Sequence, residues 1–221
     1  MLGIAGLVGS GRTRLVRIMA VVEQPQQGTL RREGLPAKFG GPRAALDRGI
    51  ALIPEDRKYQ ALSMESPIAE NLALMALRRH LGRGGIIARR SVDKLADSLI
   101  SQLNIVPADP SRVVGSLSGG NQQKVVLGKT LAAQPDVILI DQPTAGVDVG
   151  TKGQIHRLLR QRTAEGAALM VVSDDLDELY SLSDRIVVLR DGHVRWSGLA
   201  NEITYAELVD LVSAGILPAR G

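Results

Sequence analysis

The segment 116–123, Ser-Leu-Ser-Gly-Gly-Asn-Gln-Gln, has the residue types of a helix start that binds an anion. The hydroxyl of Ser118 can contact a phosphate, and Gly119 and Gly120 leave the first backbone N–H groups of the helix uncovered. These groups have no partner within the helix and lie at the positive end of its dipole, so we expect a γ-phosphate as the ligand. An ordinary Ser-Gly helix cap is the alternative.

The apolar segment 137–140, Val-Ile-Leu-Ile, favours the nucleotide interpretation because it ends in Asp141 about one helix further on. A carboxylate at the carboxyl end of a parallel strand lies where open α/β sheets bind ligands, so Asp141 is the candidate that holds Mg²⁺ through water. Asp141 could instead cap the next turn. Gln142 follows it, at a position where water attack needs a general base, and an amide cannot take a proton.

A second glycine-rich segment, 6–13, reads Gly-Leu-Val-Gly-Ser-Gly-Arg-Thr and predicts a phosphate-binding loop before a helix. Thr13 stands where its hydroxyl could bind Mg²⁺. Arg12 stands where a lysine is expected, and its planar guanidinium cannot mimic a compact ammonium. A plain glycine-rich turn is the alternative. The predicted nucleotide-binding residues in this segment are Gly6, Gly9, Ser10, Gly11, Arg12 and Thr13.

The composition fits one large α/β domain, or one domain with a helical insert, because 44% of the 221 residues are hydrophobic. The aromatic content of 2% argues against a stacking surface for single-stranded nucleic acid. The net charge of +4 is spread along the chain, which favours a mixed solvated surface over a nucleic-acid patch. The chain has no cysteine, which excludes disulfides and thiolate metal sites.

Apolar strands alternate with helices, which predicts a mostly parallel sheet covered by helices on both faces. The interval 61–132 carries helical periodicity and predicts a helical subdomain inserted into a core of residues 1–60 and 133–221. The predicted strands are 2–5, 28–31, 49–53, 136–141, 168–173, 185–189 and 194–196. The predicted helices are 12–22, 42–48, 68–80, 91–104, 119–132, 150–164, 175–182 and 205–214, with a polar loop at 55–66 and a linker at 82–85.

The order and spacing of these motifs resemble the nucleotide-binding domain of ATP-binding-cassette (ABC) transporters, from residue 3 to about 196. More narrowly, they resemble the C-terminal cassette of the ATP-binding proteins that serve simple-sugar importers. The residues that carry the resemblance are 6–13, 53–58, 117–124, 137–144, 146–150 and 172–176. Importers of nucleosides and of autoinducers have cassettes close enough to remain alternatives.

The resemblance implies a P-loop NTPase fold and a pair of cassettes that close head to tail over two ATP molecules with Mg²⁺. Each ATP would lie between the phosphate loop of one cassette and the Leu-Ser-Gly-Gly run of the other. Ser118, Gly119, Gly120 and Asn121 would then reach a partner's ATP, and Asp148 would lie in the loop that links the two sites. The implied partners are a second cassette, membrane-spanning permease subunits and, indirectly, a sugar-binding protein. The implied location is the cytoplasmic face of the plasma membrane, and nucleic acid is not an expected partner.

Four positions depart from the family pattern and predict a degenerate site in this chain. Arg12 replaces a lysine, Glu55 a glutamine, Gln142 the catalytic glutamate and Asp174 the switch histidine. We therefore expect a weak or inactive ATPase when the chain is alone, with Glu55 and Asp174 repelling a triphosphate. The histidines at 80, 156 and 193 lie elsewhere and are interpreted as surface or loop residues.

Two further expectations accompany the resemblance. The family has a strand-rich segment before residue 1, with an aromatic residue that stacks on adenine, and we expect that segment and the N-terminal cassette to be absent here. A regulatory cassette that binds nucleotide without turnover is the main functional alternative. A soluble cassette ATPase that acts on DNA or ribosomes is a third, and the dispersed charge disfavours it.

Overall fold

The computed structural model describes residues 1–37, 39–77 and 88–215, so the predicted linker at 82–85 and His80 lie outside the described residues. The described strands are β1 (Leu2–Ala5), β2 (Arg31–Arg32), β3 (Leu35–Pro36), β4 (Ile50–Ile53), β5 (Val137–Asp141), β6 (Ala168–Val172), β7 (Arg185–Arg190) and β8 (His193–Leu199). The described α-helices are α1 (Arg12–Met19), α2 (Pro42–Asp47), α3 (Ile68–Ala73), α4 (Arg89–Leu103), α5 (Gly119–Ala132), α6 (Val149–Ala164), α7 (Leu176–Leu182) and α8 (Tyr205–Ser213).

The described residues form a six-stranded sheet with the strand order β4-β5-β6-β1-β7-β8. Strands β5, β6, β1 and β7 pair in parallel, and β8 pairs antiparallel with β7 through the turn at Asp191 and Gly192. In the register of β5 with β6, Asp141 lies opposite Val172. Since parallel strands end at one edge, this register brings the ends of β5, β6 and β1 together and confirms the predicted mostly parallel α/β fold.

The chain divides into two compact units. The first contains residues 1–52, 136–143 and 156–221. Helices α1 and α2 cover one face of its sheet, where Val16 and Ala45 pack with Ile4, Leu139 and Val172. Helices α7 and α8 supply Leu179, Leu208 and Leu211 to a second cluster around Ile186 and Val188. Burial of each such leucine contributes roughly 1.5–3 kcal/mol, which fixes the strands whose ends carry the candidate site.

The second unit contains residues 53–135 and 144–155 and includes the helices α3, α4 and α5. Asn71 is 1% exposed and holds the turn before α3. Its side-chain oxygen accepts from the backbone N–H of Ser63 at 2.9 Å, and its nitrogen donates to the carbonyls of Ser63 at 3.0 Å and Pro67 at 3.1 Å. The predicted helical subdomain 61–132 falls within this unit, but its status as a separate subdomain stays a prediction.

Several predicted elements were wrong in detail. The strand predicted at 28–31 begins only at Arg31, and a short hairpin of β2 and β3 stands in its place. The polar loop predicted at 55–66 contains a π-helix at Arg57–Ala61, which begins where the carboxylate of Asp56 accepts from the N–H groups of Lys58 and Tyr59. Helix α1 ends at Met19 rather than at residue 22. None of the helices in the described ranges has the length and apolar character needed to cross a membrane.

Candidate functional site

The predicted phosphate loop follows β1 and is closed by backbone hydrogen bonds in the first unit. The N–H of Ser10 donates to the carbonyl of Leu7 at 3.0 Å, and the N–H of Gly192 donates to the carbonyl of Ser10 at 3.2 Å. A Cβ on Gly6 would lie 2.4 Å from the carbonyl oxygen of Leu189, so the turn requires glycine there. The hydroxyl of Ser10 is buried and has no hydrogen-bond partner among the described residues, which suits a ligand in the loop.

Arg12 lies at the first position of α1 and points at the end of β6. Its Nη1 donates to the carbonyl of Ser173 at 3.0 Å, and its Nη2 lies 2.5 Å from Oδ1 of Asp174. Arg12 is 6% exposed, whereas the Asp174 side chain is 52% exposed. Two positions that depart from the family pattern are thus joined as an ion pair. Arg12 offsets part of the charge of Asp174, whose side chain still faces solvent. The predicted repulsion of a triphosphate by Asp174 stays a prediction.

Gln142 and Asp141 end the neighbouring strand β5. The side-chain oxygen of Gln142 accepts from the backbone N–H of Asp174 at 3.2 Å, so these two predicted residues lie together. Gln142 holds a positive φ of 57°, and its own N–H donates to the carbonyl of Val172 at 2.8 Å. The structure therefore places an amide, which cannot accept a proton from water, at the end of β5.

Asp141 is 3% exposed, whereas Thr13 is exposed on the first turn of α1. A carboxylate and a hydroxyl are the hard oxygen ligands that Mg²⁺ prefers, so their chemistry fits that ion. In the described part of the chain, no three His, Asp or Glu side chains are grouped so that they could hold a metal by themselves. Mg²⁺ at these two residues stays a prediction that depends on phosphate and water ligands.

A buried hydrogen-bond chain behind Asp174 was missed by the sequence reasoning. Ser173 donates its hydroxyl to Glu178 at 2.6 Å, and the other oxygen of Glu178 lies 2.7 Å from Nε2 of His156. His156 is a half-buried residue of α6, with 18% of its side chain exposed, and does not lie in a loop. His193 is exposed at the start of β8, as expected. A buried glutamate needs such partners, but only the fold shows which histidine supplies one.

The predicted Ser-Gly helix start is formed in the second unit. Ser118 is the N-cap of α5, and its hydroxyl oxygen accepts from the N–H of Asn121 at 3.4 Å and from the Asn121 side-chain nitrogen at 3.0 Å. The Asn121 side-chain oxygen in turn accepts from the N–H of Val106 at 2.9 Å. Because both contacts use oxygen lone pairs, the hydroxyl proton of Ser118 can still be donated to an anion. Ser118 is exposed, as such a role needs.

Arg57 supports this helix start and was not among the predicted site residues. Its Nη1 donates to the carbonyl of Ala145 at 2.7 Å, and its Nε lies 3.3 Å from the side-chain oxygen of Gln122. A Cβ on Gly119 would lie 2.7 Å from the Arg57 guanidinium and 2.8 Å from the carbonyl oxygen of Gly146. Gly119 is therefore required by close packing. The only sequence signal for Arg57 was its place in the run 53–58 that carried the family resemblance.

Asp148 caps the start of α6 next to Gly120. Its carboxylate accepts from the N–H of Thr151 at 2.9 Å and from the Thr151 hydroxyl at 2.8 Å. These hydrogen bonds lower the pKa of Asp148, which is therefore ionised at neutral pH. A Cβ on Gly120 would lie 2.8 Å from the Thr151 hydroxyl and 3.3 Å from Asp148. What the structure shows for Asp148 is a capping role, and its predicted catalytic role stays a prediction.

The structure therefore gathers the predicted residues into two groups. The phosphate-loop group, in the first unit, contains residues 6–13, 141, 142 and 174. The signature group, in the second unit, contains residues 118–121 and 148 together with Arg57 and Thr151. Glu55 also lies in the second unit, but its carboxylate is exposed and forms no hydrogen bond or ion pair with the described residues.

Comparison with known proteins identifies the family. A family model described as ABC transporter matches residues 1–145. The chain belongs to the ABC transporter family. The structure resembles a dimeric ABC cassette solved in a post-hydrolysis state with ADP and Pi, with a TM-score of 0.76, 24% identity, and coverage of 90% of this chain and 85% of that one. A nucleotide-free cassette gives a TM-score of 0.76 and 22% identity over 97% of this chain and 84% of that one. These likenesses confirm the predicted fold.

Curated ABC relatives are import ATP-binding proteins. The ribose import ATP-binding protein RbsA 2 of Streptomyces coelicolor is 41% identical over 92% of this chain and 39% of its own length. The arabinose import protein AraG of Pseudomonas syringae is 39% identical over 96% of this chain and 42% of its own length. The xylose import protein XylG of Burkholderia ambifaria is 38% identical over 100% of this chain and 42% of its own length. The chain thus spans about two fifths of these relatives.

Proposed function

We propose that this chain is one ATP-binding cassette of an importer for simple sugars. The observation that carries the proposal is the helix start Ser118–Asn121, where the exposed hydroxyl of Ser118 caps α5 and can still donate its proton. The ribose, arabinose and xylose import functions in the names of the relatives support a monosaccharide as cargo. A nucleoside or an autoinducer is the alternative cargo, because in such importers subunits other than the cassette would bind and select the cargo.

The proposed mechanism assigns the two groups of residues to two different ATP molecules. The hydroxyl of Ser118 and the N–H groups of Gly119 and Gly120 would donate to the γ-phosphate of an ATP held by a second cassette. In the phosphate-loop group, Gly6–Thr13 would hold the chain's own nucleotide, with Mg²⁺ near Thr13 and Asp141 to neutralise phosphate charge. Gln142 cannot remove a proton from water, so hydrolysis of the nucleotide in the phosphate-loop group would be slow.

The proposed assembly follows from this division of roles. A second cassette supplies the loop and glutamate that act with Ser118, permease subunits span the membrane, and an external sugar-binding protein delivers the cargo. The cassette would then lie at the cytoplasmic face of the membrane and act as a translocating ATPase only within the pair. The isolated chain would hydrolyse ATP weakly or not at all.

Mixing this chain with a cassette that has an intact phosphate loop and catalytic glutamate tests the proposal. We expect ATP hydrolysis to rise on mixing and to fall by about tenfold or more when the chain carries Ser118→Ala, because removal of one donor from such a site typically costs about 10²–10³. Hydrolysis that does not depend on Ser118 would overturn the proposal.

A regulatory cassette that binds nucleotide without turnover is the second candidate. The Arg12–Asp174 ion pair and the amide of Gln142 favour it, because neither arrangement assists hydrolysis. Calorimetry with nucleotide and Mg²⁺ distinguishes the two: tight binding with no stimulation of any second cassette supports this candidate, and stimulation through Ser118 excludes it.

A further inference from the structure

The Arg12–Asp174 ion pair bears on which nucleotide the phosphate loop accepts. We propose that the loop prefers a nucleoside diphosphate to a triphosphate. Asp174 already pairs with Arg12, which is the basic side chain that a third phosphate would otherwise contact. This inference rests on the proposed nucleotide role of the loop. It goes further by naming the ligand class and the residue that selects it.

The loop itself keeps the features that hold phosphate close to the backbone. The Ser10 hydroxyl is buried, lies against Gly6 inside the turn and has no hydrogen-bond partner among the described residues. The first N–H groups of α1 lie at the positive end of the helix dipole. The Ser10 hydroxyl and these N–H groups belong to the loop and the first turn of α1, so they can bind phosphates inside the loop without Arg12.

Charge beyond the loop is unfavourable for another phosphate. Arg12 is the only lysine or arginine in residues 6–13, and two of its nitrogens are already bound to Asp174 and to the carbonyl of Ser173. The Asp174 side chain is 52% exposed, so an anion that extends past the loop meets its negative charge in solvent. Gln142 fixes the backbone of Asp174 and brings no positive charge. A third phosphate would bring further negative charge close to Asp174, and like charges repel each other at short distance.

The binding constants of ADP and ATP, each with Mg²⁺, measure this preference by titration calorimetry on the chain. We expect ADP to bind about tenfold more tightly than ATP. Asp174→Asn keeps the shape of the side chain but removes its charge, so it should strengthen ATP binding and bring the ratio close to one. Inorganic diphosphate and triphosphate should show the same order, because the selection acts on the phosphates and not on the base.

Glu165→Gln is the matched control, since it removes one exposed carboxylate of the same unit at the opposite end of β6. The ADP to ATP ratio of this variant should equal that of the wild type. ATP binding as tightly as ADP to the wild type, no ADP binding, or a ratio that Asp174→Asn leaves unchanged would each overturn the inference. Because this readout does not involve Ser118 or a second cassette, its failure is distinct from failure of the proposed import function.

Discussion

The phosphate-loop group and the signature group use their polar side chains in opposite ways. In the first, Arg12 and Asp174 bind each other, and Gln142 binds the backbone of Asp174. In the second, Asn121 and Arg57 hold the chain around α5 and leave the Ser118 hydroxyl able to donate outward. The first group pairs Arg12 with Asp174 internally, whereas the second leaves the Ser118 hydroxyl exposed to solvent.

The largest expected effect comes from filling the space at Gly119. Gly119→Val would push its side chain into the Arg57 guanidinium and the carbonyl of Gly146, and displace the helix start. We expect hydrolysis by an intact second cassette to fall by about 10² or more. The control is Gly40→Val, because a Cβ on Gly40 meets nothing within 4 Å. Equal rates for both variants would show that the packing around Gly119 is not needed.

Removal of the Arg57 side chain should have the next largest effect. Arg57→Gln loses the hydrogen bond to Ala145, and a bond of this charged kind contributes about 1.5–3 kcal/mol. We expect kcat of the mixed cassettes to fall by about tenfold, with KM changed less, since Arg57 positions the helix start without contacting the nucleotide. Lys58→Gln, which removes the neighbouring exposed charge, is the control. A change in KM alone would contradict the positioning role.

Lys129 tests whether α5 is also anchored away from the site. Lys129 is 8% exposed and donates to the carbonyl of Ala61, at the end of the π-helix. Burial lowers its pKa to about 8. The unfolded chain therefore binds more protons than the folded chain between pH 8 and about 10.4, so the free energy of unfolding rises with pH in that window, by about 2 kcal/mol from pH 8 to 10.

Urea unfolding at pH 8 and pH 10 measures this contribution. Lys129→Met should show a smaller rise than the wild type, because burial lowers the pKa of Lys124 as well and that contribution remains. Lys94→Met, which alters an exposed lysine on α4, should keep the full rise. The same rise in the Lys129→Met variant as in the wild type would show that other groups cause it.

The smallest effect is expected from restoring one residue of the phosphate-loop group. Gln142→Glu supplies a titratable group, but the Arg12–Asp174 pair remains. We expect steady-state ATP hydrolysis by the variant chain alone to stay within about threefold of wild type, although a functional general base typically contributes about 10²–10⁴. A gain of that size would show that Gln142 is the only defect of this group.

How far the sequence leads depends on whether an interaction is local. The bounds of α5 and the Asp191-Gly192 hairpin follow from neighbouring residues, because Ser118 caps its own helix and Gly192 allows its own turn. The Arg12–Asp174 pair could not be predicted, since it joins residues 162 positions apart through the pairing of β1 with β6. The contacts of Arg57 with Ala145 and of His156 with Glu178 likewise join residues that are 88 and 22 positions apart in the sequence.

The phosphate released in the first turnover tests most directly whether only the signature group of this chain takes part in ATP hydrolysis. A pair formed from this chain and an intact cassette is mixed with excess ATP, and the phosphate burst is counted per pair. We expect one phosphate per pair, and a burst that Ser118→Ala reduces by about tenfold or more. Two phosphates per pair, or a burst that does not depend on Ser118, would contradict it.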